Sequence, residues 1–275
     1  MAFVWTKEQV EKYTGYYKSI STRGSNLTLS FETTADYARS VLPPCLEVAE
    51  KPLVSLSVGS FMEIFEGYPN RPGRDSALLV GINAVYKGLE GTYFLAVIET
   101  EEVNVTTGRE VWGMPKKIGT VDYWEDGRKL WVFCERKGHR LVELEAELGP
   151  ELGEQEDSIE YYFELRGQFA ADLSAVHHPE LVVQKMPSKT SRFRELSNPY
   201  VNLTGSPFDR GIGTLELGQF AGGSMSGGET GYQLDSVTDL SGDGNDYFPY
   251  LLGRFYDLWE DYEDREGRPR SPTSV

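Results

Sequence analysis

The chain has 275 residues, enough for one large domain or two small ones with a proper core. Its apolar and charged fractions, 39% and 25%, are ordinary for a globular protein, while a formal charge of −16 (43 acidic against 27 basic side chains) repels nucleic acid and anionic membranes. Two cysteines, Cys45 and Cys134, without a Cys-x-x-Cys pair, exclude a disulfide framework.

Thr6-Lys7-Glu8-Gln9 has the spacing of a capping box and opens a short helix running toward Tyr13. The preceding residues show no basic-then-apolar leader pattern, and no run approaches eighteen apolar residues. The expectation is a soluble, cytoplasmic protein with no nucleic-acid or membrane partner. A second helix is predicted over residues 34–41, stopped by Pro43-Pro44, because proline disfavours helix at the residue before it. From there the signal is mostly strand. Residues 54–58 alternate at period two, and residues 93–97 and 103–105 are rich in β-branched or aromatic side chains. Residues 130–133 and 141–148 flank Lys137-Gly138, which reads as a hairpin. In its second arm Val142, Leu144, Ala146 and Leu148 face one way, and Glu143, Glu145 and Glu147 the other.

Beyond Gly149-Pro150 the acidic residues 151–157 read as a solvated loop, and residues 161–165 and 213–220 continue the strand pattern. Residues 246–262 are aromatic-rich, partly helical in pattern, and expected to dock back onto the body. The polar tail 263–275, with Pro269 and Pro272, reads as disordered. The fold class is α+β, mainly antiparallel β with a few flanking helices, in a single domain over residues 1–262.

Several motifs fail on counting. In Gly222-Gly223-Ser224-Met225-Ser226-Gly227-Gly228 a nucleophile elbow is out of frame, because Ser226 takes the place of its second glycine. Gly211-Ile212-Gly213 would need glycine at 216 for a dinucleotide fingerprint, where Glu216 stands. The stretch from Asp239 starts like a calcium loop but reaches Tyr250, not a carboxylate, at its twelfth position. His177-His178 would point to opposite faces if extended, with no third ligand at a zinc spacing. No metal site and no cofactor is expected.

The chemistry concentrates at Lys116-Lys117. Gly113 and Pro115 bracket Met114, and Trp112 and Ile118 put apolar side chains on both flanks. A free lysine has a pKa of about 10.4, so fewer than about one in a thousand is neutral at pH 7. A neighbouring cation and an apolar surround both disfavour the charged form. A neutral lysine can attack a ketone and form an iminium ion. That ion draws electrons from the adjacent carbon, so a carboxylate β to the original carbonyl can leave as carbon dioxide; the same intermediates serve aldol addition and dehydration.

The run Gly108-Arg109-Glu110-Val111-Trp112-Gly113-Met114-Pro115-Lys116-Lys117-Ile118-Gly119 resembles the signature of the acetoacetate decarboxylase superfamily. The resemblance implies a lysine activated by a second cationic group beside it. Upstream, Val41-Leu42-Pro43-Pro44-Cys45-Leu46-Glu47 is similar to the family's Pro-x-Pro-Leu-Glu turn, and Tyr250 to Leu258 fits in placement; the resemblance extends over roughly 230 residues. The resemblance implies a cone-like β-barrel and a homo-oligomer working without cofactor on a small keto acid. Lys116 would form the Schiff base and Lys117 would perturb it. Family decarboxylases hold the substrate with an arginine ahead of the first long strand, and Arg23 lies near that place; Trp112 and Met114 are the other candidate substrate-binding residues. Arg109 and Glu110 match the motif and suit a loop-fixing ion pair. The chain departs from family decarboxylases at their two glutamates: the first position falls on Ser57 and the second near residues 75–77, with Glu63 and Glu66 as substitutes. Glu63 is the candidate assisting carboxylate. Three functions follow: a β-keto acid decarboxylase, an aldolase–dehydratase using pyruvate and an aldehyde, or a non-catalytic small-molecule binding protein.

Overall fold

The computed structural model describes residues 3–18, 20–64 and 74–254. Glu66, the tail 263–275 and the part of the docking segment beyond residue 254 lie outside the described residues. In chain order the first half contains α1 (Lys7–Tyr17), β1 (Ser21–Glu32), α2 (Ala35–Val41), β2 (Glu47–Val48), β3 (Leu53–Ile64), β4 (Arg74–Tyr86), β5 (Leu89–Glu99) and α3 (Glu102–Thr107). A π-helical turn, Gly108–Trp112, leads to β6 (Lys116–Ile118), β7 (Thr120–Asp126), β8 (Lys129–Arg136) and β9 (His139–Leu148). The remainder is β10 (Ser158–Phe169), β11 (Val176–Leu203), α4 (Arg210–Gly213), β12 (Phe220–Gly231), β13 (Gln233–Asp239) and α5 (Phe248–Leu252).

The strands form one sheet in the order β10-β5-β4-β3-β1-β12-β11-β9-β8-β7, and β10 also pairs with β11, so the first seven close into a ring. Closure removes the free edges that would otherwise invite foreign strands. β11 is 28 residues long, and that length lets one strand close the ring against β10 and then carry the β9–β8–β7 extension. Neighbours are antiparallel except where β5 meets β6 and β10.

Local chemistry explains most elements. At the start of α1 the capping box is made in both directions: Thr6 N–H donates to Gln9 Oε1 (2.9 Å) and Gln9 N–H to Thr6 Oγ1 (3.3 Å). Thr34 caps α2 through the Tyr37 N–H. The hairpin at Lys137-Gly138 has both residues at positive φ, 50° and 79°, as a two-residue turn between twisted strands requires. In β9, Val142, Leu144, Ala146 and Leu148 are buried as the alternation predicts.

Two strand expectations fail. Residues 103–105 are helical, in α3, despite their β-branched content. Thr106 and Thr107 hydroxyls donate back to the Glu102 and Val103 carbonyls, and Asn104 Nδ2 donates to Asp75 Oδ2 at 2.7 Å, so a tertiary contact overrides propensity. Residues 213–220 are not a strand either: α4 ends at Gly213, and pairing begins only at Phe220. Gly213 packs against the Gly205 backbone so closely that a Cβ would lie 2.4 Å from its nitrogen.

One irregularity matters for function. In the β4–β5 ladder Val80 pairs with Ala96 and Gly81 with Phe94, leaving Leu95 as an extra residue. The bulge changes which side chains share a face. Before it stands Phe94; beyond it Val97 and Glu99 share the Phe94 face, while Ala96 and Ile98 turn to the other. Ile98 joins a core with Leu29, Leu56, Val58, Leu78 and Val80, whereas Glu99 is delivered to the polar face.

Candidate active site

Lys116 is presented by a loop built to hold it. The π-helical turn ends in Gly113, at φ 82°, where a Cβ would also lie 2.6 Å from the Leu165 carbonyl oxygen. Met114 N–H donates to the Gly108 carbonyl, and Arg109 Nη1 donates to the Lys116 carbonyl at 2.9 Å. Arg254 donates to the Gly113 and Leu165 carbonyls, tying the loop to β10. The lysine stem runs directly over Gly108: a Cβ there would be 2.5 Å from Lys116 Cδ and 2.6 Å from Cε. Gly108 is glycine because the lysine passes across it.

The ammonium end enters a cavity of about 70 Å³ whose walls include Glu63, Glu99, Trp112, Met114, Gln184 and Tyr232. Lys116 is 13% exposed, and its Nζ lies 2.7 Å from Glu99 Oε2, itself on a 2%-exposed side chain. Burial pushes the Glu99 carboxyl up to about 7; the Lys116 charge opposes the rise and Asp75 adds to it. Asp75 stands on the same face: Ala77 is opposite Glu99 in the β4–β5 ladder, and Asp75 is two residues along β4. Its Oδ1 accepts from the N–H groups of Ser76, Thr100 and Glu101 and from the Thr100 hydroxyl, and its Oδ2 from Asn104. Those five donors tie Asp75 to the β4–α3 corner, and of the two carboxyls it is Glu99 that burial pushes toward its protonated form.

Lys117 is placed differently. Along β6 successive side chains alternate, with Lys116 beside Val97 and Lys117 beside Ile98 of β5. Lys117 Nζ therefore emerges on the opposite face, 3.0 Å from Asp209 Oδ1, and Arg136 Nη1 lies 2.8 Å from Asp209 Oδ2. All three side chains are nearly enclosed, beside a separate cavity of about 410 Å³ lined by Val41, Val80, Leu95, Ile212 and Leu215. Backbone alternation and the Asp209 carboxylate thus separate the two ammonium groups.

Of the sequence-predicted site residues, the structure brings Lys116, Glu63, Trp112 and Met114 to one cavity. Arg23 is elsewhere: Thr22 faces the cavity, so its neighbour Arg23 points away, 67% exposed and paired with Glu229 at 3.1 Å. Ser57 hydrogen-bonds Thr28 (2.9 Å) on the sheet. Arg109 Nη1 donates to the Lys116 carbonyl and so fixes the loop through its backbone. Sequence reasoning missed Glu99, Gln184 and Tyr232. Glu99 ends an apolar strand run and precedes Thr100-Glu101-Glu102, where it reads as one more surface acid. The bulge that turns it inward has no signal in the sequence. The Tyr232 phenol, 3.4 Å from Thr22 Oγ1, is raised to about 12, mainly by burial.

Comparison with known proteins supplies an independent line. The family model "Acetoacetate decarboxylase (ADC)" matches residues 5–221. An acetoacetate decarboxylase of Paraburkholderia phytofirmans is 31% identical over 114 residues, covering 35% of this chain and 41% of the relative; the match thus spans about two fifths of that relative's length. Among solved structures, acetoacetate decarboxylase of Legionella pneumophila superposes with a TM-score of 0.66 at 14% identity, over 81% of this chain and 88% of the other. An acetoacetate decarboxylase-like enzyme of Sphingomonas wittichii gives 0.66 at 19% identity, covering 81% and 93%. The enduracididine biosynthesis enzyme MppR, in complex with pyruvate, gives 0.64 at 16% identity, covering 81% and 90%. At such identities the structures establish a shared fold.

Proposed function

The chain belongs to the acetoacetate decarboxylase family, and from that premise we propose that it is a Schiff-base-forming carbon–carbon lyase that decarboxylates a β-keto acid through Lys116. The observation that carries the reading is the enclosed Lys116 amine, 2.7 Å from a carboxyl group held near neutrality. The amine attacks the ketone carbon, and the carbinolamine loses water to give an iminium. Starting protonated, Glu99 gives its proton to the carbonyl oxygen as the amine attacks, takes up the proton released from nitrogen, and passes that one to the departing hydroxyl, ending as the carboxylate. The C–C bonding pair then moves toward the iminium, carbon dioxide leaves, and the enamine is protonated on carbon and hydrolysed back to lysine and ketone. Glu63 and Glu99 beside the carboxylate, with no arginine lining the cavity among the described residues, favour loss of negative charge from it. That is a ground-state contribution of a contested kind. The imine is itself the electron sink, so the sequence of steps closes without a further cofactor.

The test is reduction with borohydride in the presence of acetoacetate, followed by peptide mass mapping. The expected result is a covalent label on Lys116 and release of carbon dioxide before reduction; a label on a different lysine, or none, rejects the assignment. A second reading, the aldolase–dehydratase, is favoured by the two carboxyl groups on the Lys116 cavity, Glu63 and Glu99, because enamine addition and loss of water need an acid and a base at one carbon. It predicts an absorbing conjugated product from pyruvate and an aldehyde. Absence of any adduct would leave small-molecule binding without catalysis.

A further inference from the structure

Gln184 on β11 and Glu164 on β10 share the face of Lys116. In their ladder Tyr162 lies opposite Gln184 and Glu164 opposite Val182, so Glu164 and Gln184 are diagonal neighbours on one side. The Tyr162 ring meets Phe94 edge-on at 4.8 Å, and the β5 bulge continues that face to Val97, Glu99 and Lys116. Gln184 lines the Lys116 cavity. The two side chains are enclosed, at 1% and 0% exposure, yet among the described residues Gln184 Nε2 and both Glu164 oxygens have no hydrogen-bond partner. Leaving a buried donor bare is unfavourable, and folds retain such groups where a ligand or water meets them. Burial pushes Glu164 up to about 8 against the pull of Arg254 and Lys116, so near neutral pH it is an acid with an O–H to donate.

We propose that Gln184, seconded by the Glu164 carboxyl, binds the oxygen-bearing group β to the imine carbon: the carboxylate of a β-keto acid or the second carbonyl of a β-diketone. The inference rests on Lys116 as the imine-forming residue. It assigns to neutral donors the task expected of Arg23, which faces outward. Neutral donors suit a carboxylate about to lose its charge, because a guanidinium would stabilise the ground state more than the transition state.

The experiment compares two probes on wild type and Gln184→Met. Acetone offers only the carbonyl that Lys116 consumes, whereas 2,4-pentanedione keeps a second oxygen at the β position and cannot lose carbon dioxide. Acetone imine is trapped with cyanoborohydride, the diketone adduct is read by its near-ultraviolet absorbance, and both are mapped by peptide mass. In Gln184→Met, half-saturation by the diketone is expected to rise about tenfold or more, with acetone unchanged within about twofold, as loss of one buried hydrogen bond predicts. The melting temperature without ligand should hold or rise, since the bare amide is gone. Equal weakening of both probes, or of neither, overturns the proposal; so does a lower melting temperature with unchanged discrimination, the mark of a structural glutamine. Gln184→Leu, which also removes the donor, is read by the same criteria if the methionine variant fails to fold. If neither probe marks Lys116 in wild type, the imine reading has failed first, and that outcome is distinct from any result at Gln184.

Discussion

Lys116 and Lys117 are covalent neighbours with opposite fates. One lies across a glycine into a small cavity against a carboxyl near neutrality, and the other is locked in a buried Asp209–Arg136 cluster on the reverse of the strand. The pair teaches that adjacency in sequence gives separation in a strand: period-two alternation sends the two charges to opposite faces, and a carboxylate neutralises the one meant to perturb the other. On the proposed function, catalysis and stability are divided between consecutive residues. Lys116→Ala is expected to abolish imine trapping and turnover with the fold intact, the largest effect of the series, read by borohydride labelling and circular dichroism. Residual labelling at Lys117 would break the division.

The Glu99→Gln substitution sharpens the same contrast. Glutamine keeps the shape and loses the proton carrier, so kcat should fall about 100-fold, the usual weight of general acid–base catalysis. A carboxyl near 7 also predicts a limb in the pH–rate profile close to that value, which disappears in the variant. An unchanged limb would assign the titration to another group.

On the reverse face the readout should be stability. Lys117→Met leaves Asp209 with Arg136 alone, and breaking a buried ion pair costs about 3 kcal/mol, or about 6–12 °C in Tm for a chain of this size. The pH dependence of imine formation at Lys116 should stay where it is. A large shift in that profile with little loss of Tm would restore Lys117 as the perturbing cation.

Much of this was legible in the sequence where the cause is local. The Thr6–Gln9 box, the Thr34 cap, the Lys137-Gly138 turn and the β9 alternation each follow from a few adjacent residues. The π-turn loop was legible as an unusual setting, since Gly113, Pro115 and the Lys116 pair announce a rigid turn. What escaped depends on contacts between distant segments. Asn104 reaches Asp75 and makes a helix of a valine-rich stretch. The Leu95 bulge swings Glu99 inward, and the β10–β11 register sets Glu164 beside Gln184. Arg23 went astray by one residue of strand phase, which in a sheet is the difference between cavity and solvent.

The smallest expected effect tests whether the Lys116 face also has a stability cost of its own. Glu164 has an ordinary value of 4.5 and is raised to about 8 in the fold by burial. Between those values the unfolded chain releases a proton that the folded chain keeps. Stability therefore falls as pH rises from about 5 to about 8, at up to about 1.4 kcal/mol per pH unit for one group, and levels off above the folded value. Glu99 contributes in the same direction but finishes near 7. Glu164→Gln removes the Glu164 contribution, so its Tm advantage over wild type should be small at pH 5 and grow to about 5 °C or more at pH 8. A constant difference across that range would mean that Glu164 is already ionised in the fold. The enclosed polar layer beside Lys116 would then be a charged one, and the donor role given to Glu164 would have to pass to Gln184 alone.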